Sequence, residues 1–328
     1  MSSFKNCSLI VEAMAKARSR SSWNDRLTHW ERPASDSEEQ QIERAANMVR
    51  NALSSNKRLT DEGITIHPQG SYYNNTNVRR ESDIDLRAIH PCIKLEYASN
   101  VDVDTARTVL GIYDTGRTYS DIAQEMRGNI IIELTKKFGI VNIDASGKKA
   151  IRLKKQYGTR ADLDIATSFN YHWVVWNSYT NNYIVYKGIA ILATDNTWTY
   201  NFPTHHHRNG IAKRARTRHR FKKNVRILKR LRDELVKSYQ LRQKQAPSFL
   251  IESLTYAVED EYFLVESDDR YYRVLRILYR IIERLNDPSF VRNGKEINDI
   301  KYLFHPVQPW SIFDAKAFVL AAIKRLED

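Results

Sequence analysis

Residues 70–86 read Gly70-Ser71-Tyr72-Tyr73-Asn74-Asn75-Thr76-Asn77-Val78-Arg79-Arg80-Glu81-Ser82-Asp83-Ile84-Asp85-Leu86, and the pattern runs on through Arg87, Ala88 and Ile89. A period of two puts Ile84, Leu86 and Ala88 on one face of a strand and Asp83, Asp85 and Arg87 on the other. Two carboxylates then share an open face above an apolar anchor. Like charges that close repel, so the pair calls for a cation. Oxygen donors suit Mg²⁺, with Mn²⁺ as the alternative. Upstream, with eleven residues between Ser71 and Asp83, Gly70 lets a backbone approach a phosphate closely, and the Ser71 hydroxyl and nearby backbone N–H groups can bind it. The chemistry this suits is two-metal nucleotidyl transfer, with ions about 3.5–4 Å apart, one on the triphosphate and one activating a hydroxyl. A lone Asp-x-Asp is usually a solvated strand face. The Gly-Ser at this distance and a further carboxylate on a later strand are what make the pair specific. Asp162 and Asp164 both offer that third carboxylate and share one face.

Working outward, Ile64 and Ile66 alternate into Pro68–Gln69, and Ile151–Tyr157 with Ala161–Phe169 read as a hairpin around Gly158–Thr159. Strand-like segments continue to about Thr199. Before them, Ser35–Asp36–Ser37 with Glu38 and Glu39 starts a helix that carries Ile42, Ala45, Ala46, Val49 and Leu53. The first 20 residues, basic and Ser-rich with Glu12 in the apolar stretch, read as an ordinary helix rather than a transit peptide. After Phe221 the chain is helical: Phe221, Val225, Leu228, Leu231 and Leu235 form one stripe, Ala246–Pro247–Ser248 opens a second helix, and Tyr271–Leu285 and Asp314–Leu326 follow. The order of helix, mixed sheet and helices gives an α+β fold, with a core over residues 1–204 and a helical lobe over 205–328.

The chain has 328 residues, enough for a sizeable core, and its 42% apolar and 28% charged content excludes a disordered chain. No apolar stretch approaches the roughly 20 residues of a membrane span. Two cysteines, Cys7 and Cys92, exclude a disulfide framework and fit a reducing, cytoplasmic setting. The net charge is +13, and Arg208–Arg232 holds 12 Lys/Arg and no Asp/Glu, so nearly all the excess is local. That reads as one basic surface facing phosphates, or as a solvated helix face. Three consecutive histidines, His205–His207, cannot all face one ion in regular structure. Trp173, Trp176 and Trp198 lie among strands and read as core.

Gly70–Ser71 leading to Asp83–Ile84–Asp85 resembles the active-site signature of the bacterial relatives of cyclic GMP-AMP synthase, a branch of the polymerase-β-like nucleotidyltransferases. Asp164-Ile165-Ala166-Thr167-Ser168-Phe169 resembles their third-aspartate strand, with Ala166–Thr167 where Val-Pro is common. The resemblance thereby favours Asp164 over Asp162. Asn201–Lys229, Pro247–Glu252 and Glu296–Phe304 are similar to later family segments, so the likeness spans roughly residues 35–328. It implies a bilobal fold, a mixed-sheet palm and a helical C-terminal lobe with the active site in the cleft. Asp83, Asp85 and Asp164 would be catalytic and hold two Mg²⁺ ions. Gly70, Ser71, Lys229 and Ser248 would hold the triphosphate, and Phe249 would stack on a base.

The function so implied is synthesis of a cyclic oligonucleotide, a dinucleotide foremost, from NTPs with release of pyrophosphate, as a second messenger in anti-phage defence. The partners implied are NTPs and an effector that responds to the product. The enzyme is expected to be monomeric, with no membrane and no obligatory nucleic acid, since two distant cysteines cannot build a DNA-sensing zinc module. Two alternatives compete. One is a nucleotidyltransferase acting on RNA or a protein, guided by Arg208–Arg232. The other is a nucleic-acid-binding protein without catalysis, which clustered carboxylates argue against.

Overall fold

The computed structural model describes residues 19–33, 36–78, 84–111, 117–156, 162–265 and 269–328. These form two units. One, built on a sheet, comprises residues 36–74 and 84–204; the other, helical, comprises residues 19–33, 75–78 and 205–328. Residues 19–33 and 75–78 thus depart from the sequence expectation, which put them with the sheet. The expected N-terminal helix lies outside the described residues up to residue 18; residues 19–30 are helical and are called α1 here. The helix expected from Ser35 is α2 (Asp36–Leu53), followed by the short α3 (Lys57–Asp61).

The sheet unit has strands β1 (Thr65–Pro68), β2 (Ile84–Tyr97), β3 (Ile143–Asp144), β4 (Ala150–Leu153), β5 (Leu163–Asn177), β6 (Asn182–Leu192) and β7 (Trp198–Asn201). Their order is β1-β2-β5-β4-β3, with β6 pairing β5 and β7 pairing β6. One edge of β5 is shared: β4 pairs antiparallel with Leu163–Ala166, and β6 with Phe169–Asn177. The β4–β5 pairing is the expected hairpin; its turn lies outside the described residues. On the other edge β2 runs parallel to β5.

Adjacent parallel strands need a long crossover. Here it includes α5 (Val103–Leu110) and α6 (Tyr119–Phe138). The sequence reading expected strands through this region and missed α6. Its buried Ile122, Met126, Ile130 and Leu134 recur every four residues, but Ile131 and the half-exposed Ile132 blur the stripe. Met126, Ile130 and Leu134 pack with Ala45, Ala46 and Val49 of α2 against Ile84, Leu86, Ala88, Leu163 and Ile165. The alternation of β2 is thereby explained: its odd residues, Asp85 and Arg87, are turned to the other face. Trp198 packs on Tyr119 and Phe169. Trp173 and Trp176 are half-buried rather than core and pair across strands with Tyr186 and Tyr183.

The helical unit takes its chain from α7 (Pro203–Arg216) onward: α8 (Arg220–Lys237), α9 (Ser248–Ala257), α10 (Arg270–Asn286), α11 (Pro288–Asn293) and α12 (Ile312–Glu327). The predicted stripe on α8 is fully buried against α9, α10 and α12. Trp23 and Leu27 of α1 join that core, which is why residues 19–33 belong here. A polar knot ties them in. Glu31 is buried and accepts from Lys223 at 3.0 Å, Arg270 at 2.9 Å and Arg273 at 3.2 Å, while Arg226 donates to its carbonyl at 2.8 Å. Burial opposes the Glu31 charge, yet its bonds to Arg270 and Lys223 outweigh that and hold the carboxyl below its usual range. Removing this carboxylate takes a charged partner from Arg273, which has no solvent exposure, and from Arg270 and Lys223 beside it. We therefore expect Glu31→Ala to cost about 3–5 kcal/mol in urea unfolding; a loss below 1 kcal/mol would show the knot to be dispensable.

Candidate active site

The short helix α4 (Gly70–Tyr73) follows β1 and is stitched to β2 by Gln69 N donating to Asp85 O at 2.9 Å. Gly70 has φ +77°, a conformation that favours glycine. A Cβ there would also collide with the Asp85 carboxylate, lying 3.1 Å from its Cγ and closer still to Oδ2. The Gly of the motif and its second Asp are therefore in direct packing contact, and Ser71 follows half-buried on the same turn. Across the parallel pairing Asp85 stands in register with Asp164, and neighbouring strands are about 4.8 Å apart. Both side chains are half-buried. Asp83 lies outside the described residues.

Asp164 meets Arg152 in a two-pronged ion pair, Nε to Oδ1 at 3.0 Å and Nη2 to Oδ2 at 3.2 Å. Asp162 precedes β5; its Oδ1 accepts from Lys155 N at 2.9 Å, and its carbonyl accepts from Ile84 N at 2.9 Å. Among the described residues no cluster of three His, Cys, Asp or Glu side chains could hold a metal. Asp85 and Asp164 do offer carboxylate oxygens of the kind Mg²⁺ prefers, and the missing Cβ of Gly70 leaves the room that the Asp85 carboxylate occupies. Arg152 was not foreseen; its signal was a cation directly opposite Asp164 in the hairpin register.

The remaining candidates lie in the helical unit. Lys229 is almost fully buried. Its Nζ donates to Thr76 O and Thr76 Oγ1, both at 3.0 Å, and lies 3.6 Å from Glu252 Oε2. Thr76 Oγ1 in turn donates to Glu252 at 3.1 Å, and His206 Nε2 meets the other Glu252 oxygen at 3.0 Å. Ser248 opens α9, its Oγ accepting from Arg232 Nη2 at 3.3 Å. Phe249 is half-buried, with ring centroids of His206 and Trp310 at 5.4 Å and 6.1 Å. Thr76 and Glu252 were overlooked as individuals although both fall inside quoted segments. An acid amid Leu250, Ile251 and Leu254 had to find a cation, and that was the available signal.

The basic run is corrected in kind. Four of its cations, Lys213, Lys222, Arg226 and Lys229, are buried. Others bind carbonyls or acids: Arg220 donates to Phe263 O and Val265 O, Arg230 to His29 O, and Arg216 pairs with Asp260. Arg208–Arg232 is thus largely the internal wiring of the helical unit, not one surface. Of the three histidines only His206 turns into this interior.

Burial works against ionisation of Glu252, but the Lys229 charge and the His206 and Thr76 contacts prevail and hold its carboxyl at about 2. Burial pulls Lys229 down from its usual value against the attraction of Glu252, and Lys222 also faces Glu252. A depressed folded pKa contributes stability that is present above the unfolded value near 4.5 and lost as pH falls through about 2. Melting temperature should therefore decline from about pH 4.5 downward, and Glu252→Gln should melt lower at pH 7 with a shallower acid decline. An acid slope unchanged by the substitution would remove Glu252 from this role.

Residues 208–327 match the family described as the cGAS/DncV-like nucleotidyltransferase C-terminal helical domain. The chain is 31% identical over 301 residues to the cyclic dipyrimidine nucleotide synthase CdnE of Legionella pneumophila, covering 92% of this chain and 96% of that protein. It is 28% identical to the CdnE of Cecembia lonarensis, also a cyclic dipyrimidine nucleotide synthase, covering 92% and 98%. Its fold is shared with the Rhodothermus marinus CdnE c-UMP-AMP synthase solved with Apcpp and Upnpp, with TM-score 0.73, 22% identity, and 91% and 94% of the two chains covered. With near-full-length likeness to synthases, a matching helical domain and the Gly70–Asp85 contact, this chain belongs to the cGAS/DncV-like nucleotidyltransferases.

Proposed function

We propose that this nucleotidyltransferase joins two NTPs into a cyclic dinucleotide, with pyrimidine nucleotides as the preferred substrates. The observation that carries the reading is the Asp85 carboxylate lodged against Gly70 and in register with Asp164. In each of two rounds a ribose hydroxyl of one nucleotide attacks the α-phosphorus of another. The new O–P bond forms, the bond to the β-phosphate breaks, and pyrophosphate leaves. The second round closes the ring. Asp83, Asp85 and Asp164 would hold two Mg²⁺ ions, which when bound stabilise phosphate charge and acidify the hydroxyl. Arg152 would exchange its hold on Asp164 as substrate loads. Gly70 and Ser71 would receive phosphate oxygens.

The pyrimidine preference rests on the names of the Legionella and Cecembia relatives. No helix among the described residues is long and apolar enough to cross a membrane, and a cytoplasmic enzyme whose product is read by a separate effector fits the family role. The polymer-acceptor alternative leaned on a basic surface along Arg208–Arg232; with four of those twelve cations buried and only Arg208, Arg214, Arg216 and Arg218 exposed, that surface is much smaller than the string of charges suggests.

Two outcomes are expected. Mass spectrometry of products from all four NTPs with Mg²⁺ should reveal a cyclic dinucleotide containing pyrimidine, absent with Asp83→Asn/Asp85→Asn; only linear polymer or nucleotide-labelled protein would reject the reading. Gly70→Ala should cut turnover by about 10²-fold or more, because displacing Asp85 by even 1 Å spoils the geometry of the reacting groups. Turnover within threefold of wild type would detach Gly70 from the site.

A further inference from the structure

Arg87 lies two residues beyond Asp85 on β2 and on the same face, about 6.6 Å along the strand. It stands opposite His67 on β1 and opposite the small Ala166 on β5. Its Nε and Nη1 are shut off from solvent and, among the described residues, have no hydrogen-bond partner. Among the same residues the guanidinium makes no ion pair, and the ionisable groups that face it are the phenol of Tyr73, at the end of α4, and the imidazole of His67. A buried Nε without an acceptor among the described residues also occurs at Arg270, Arg273 and Arg284, but each of those reaches a carboxylate through Nη2, as Arg152 reaches Asp164.

We propose that Arg87 is a substrate-binding residue that takes a phosphate group of the bound nucleotide. This rests on the nucleotidyltransferase reading of the neighbouring carboxylates. An enclosed N–H without an acceptor costs stability, more so on a charged group. A neutral base carbonyl would satisfy donors and leave the charge uncompensated. A phosphate satisfies both, and the planar fork of arginine matches its oxygens. The neighbour of Arg87 on β5 is the small Ala166, so no bulky side chain stands beside it on that strand, and Tyr73 is 42% exposed. The sequence carried half of this signal, since alternation already set Arg87 beside the acidic pair; its lack of a protein partner is visible only in the fold.

The test uses the full-length protein, an α,β-methylene NTP analogue with Mg²⁺, and two readouts: affinity by calorimetry and melting temperature without ligand. Arg87→Met should weaken pyrimidine and purine analogues alike by about tenfold or more, as loss of a charged hydrogen bond does. It should leave the ligand-free melting temperature unchanged or higher, since an unsatisfied group has been removed. Arg87→Lys should recover part of the affinity. Affinity within twofold of wild type overturns the proposal. So does a melting temperature lowered by several degrees with affinity retained, which would mark a structural residue, or a loss confined to one base, which would mark a base contact. If wild type itself neither binds the analogue nor consumes NTPs, the nucleotidyltransferase reading falls and this inference with it. If wild type does both and Arg87→Met binds as tightly, only the inference falls.

Discussion

The carboxylate of Asp85 occupies the space that any side chain at residue 70 would need. Much of the sheet unit can be understood from that contact. It requires α4 to begin in a backbone conformation that favours glycine, and it requires β2 to present its odd residues away from α2 and α6. The second requirement is met because Ile84, Leu86 and Ala88 are consumed by the core. Parallel pairing with β5 then brings Asp164 level with Asp85, and a crossover long enough to make that pairing parallel brings α6 with it.

In the helical unit the governing constraint is charge burial. Twelve cations without an acid among them look like a nucleic-acid surface when read as a string. Folded, several of them meet acids and carbonyls that come from elsewhere in the chain: Glu31 just after α1, Glu252 from α9, Asp260 after it, and the backbone of Asn75 and Thr76. Each such cation pays a desolvation cost that only a specific partner offsets. Lys229 is the clearest case, because the residue that the family resemblance implies for a triphosphate is almost fully buried and bound to Thr76 and Glu252.

What was legible followed from periodicity. The faces of β2, the β4–β5 hairpin and the α8 stripe could be read because each is one-sided, apolar on one face and polar on the other. Helix α6 could not, because apolar residues lie on several of its sides and the unbroken β-branched run Ile130–Ile132 hides the helical period. In the site, Gly70 and the acidic pair announced themselves by type and spacing. Arg152, Thr76 and Glu252 did not, since their importance lies in a partner that is 12, 153 and 23 positions away respectively. Partner identity is a property of register and packing, which a single sequence does not display.

The helical unit is assembled from three separated stretches of chain, and this bears on how the protein is made. Arg273 waits for Glu31, 242 positions earlier, and Lys229 waits for Thr76, 153 positions earlier. During synthesis α1 and the loop at Asn75–Val78 emerge long before the helices that receive them. They must stay available, undocked, until α8 and α10 leave the ribosome. Conversely, the C-terminal stretch that matches the family domain, residues 208–327, keeps Glu252 and Asp260 but lacks Glu31, Asn75 and Thr76, so that alone it would bury Arg226, Lys229 and Arg273 without the partners that those residues supply.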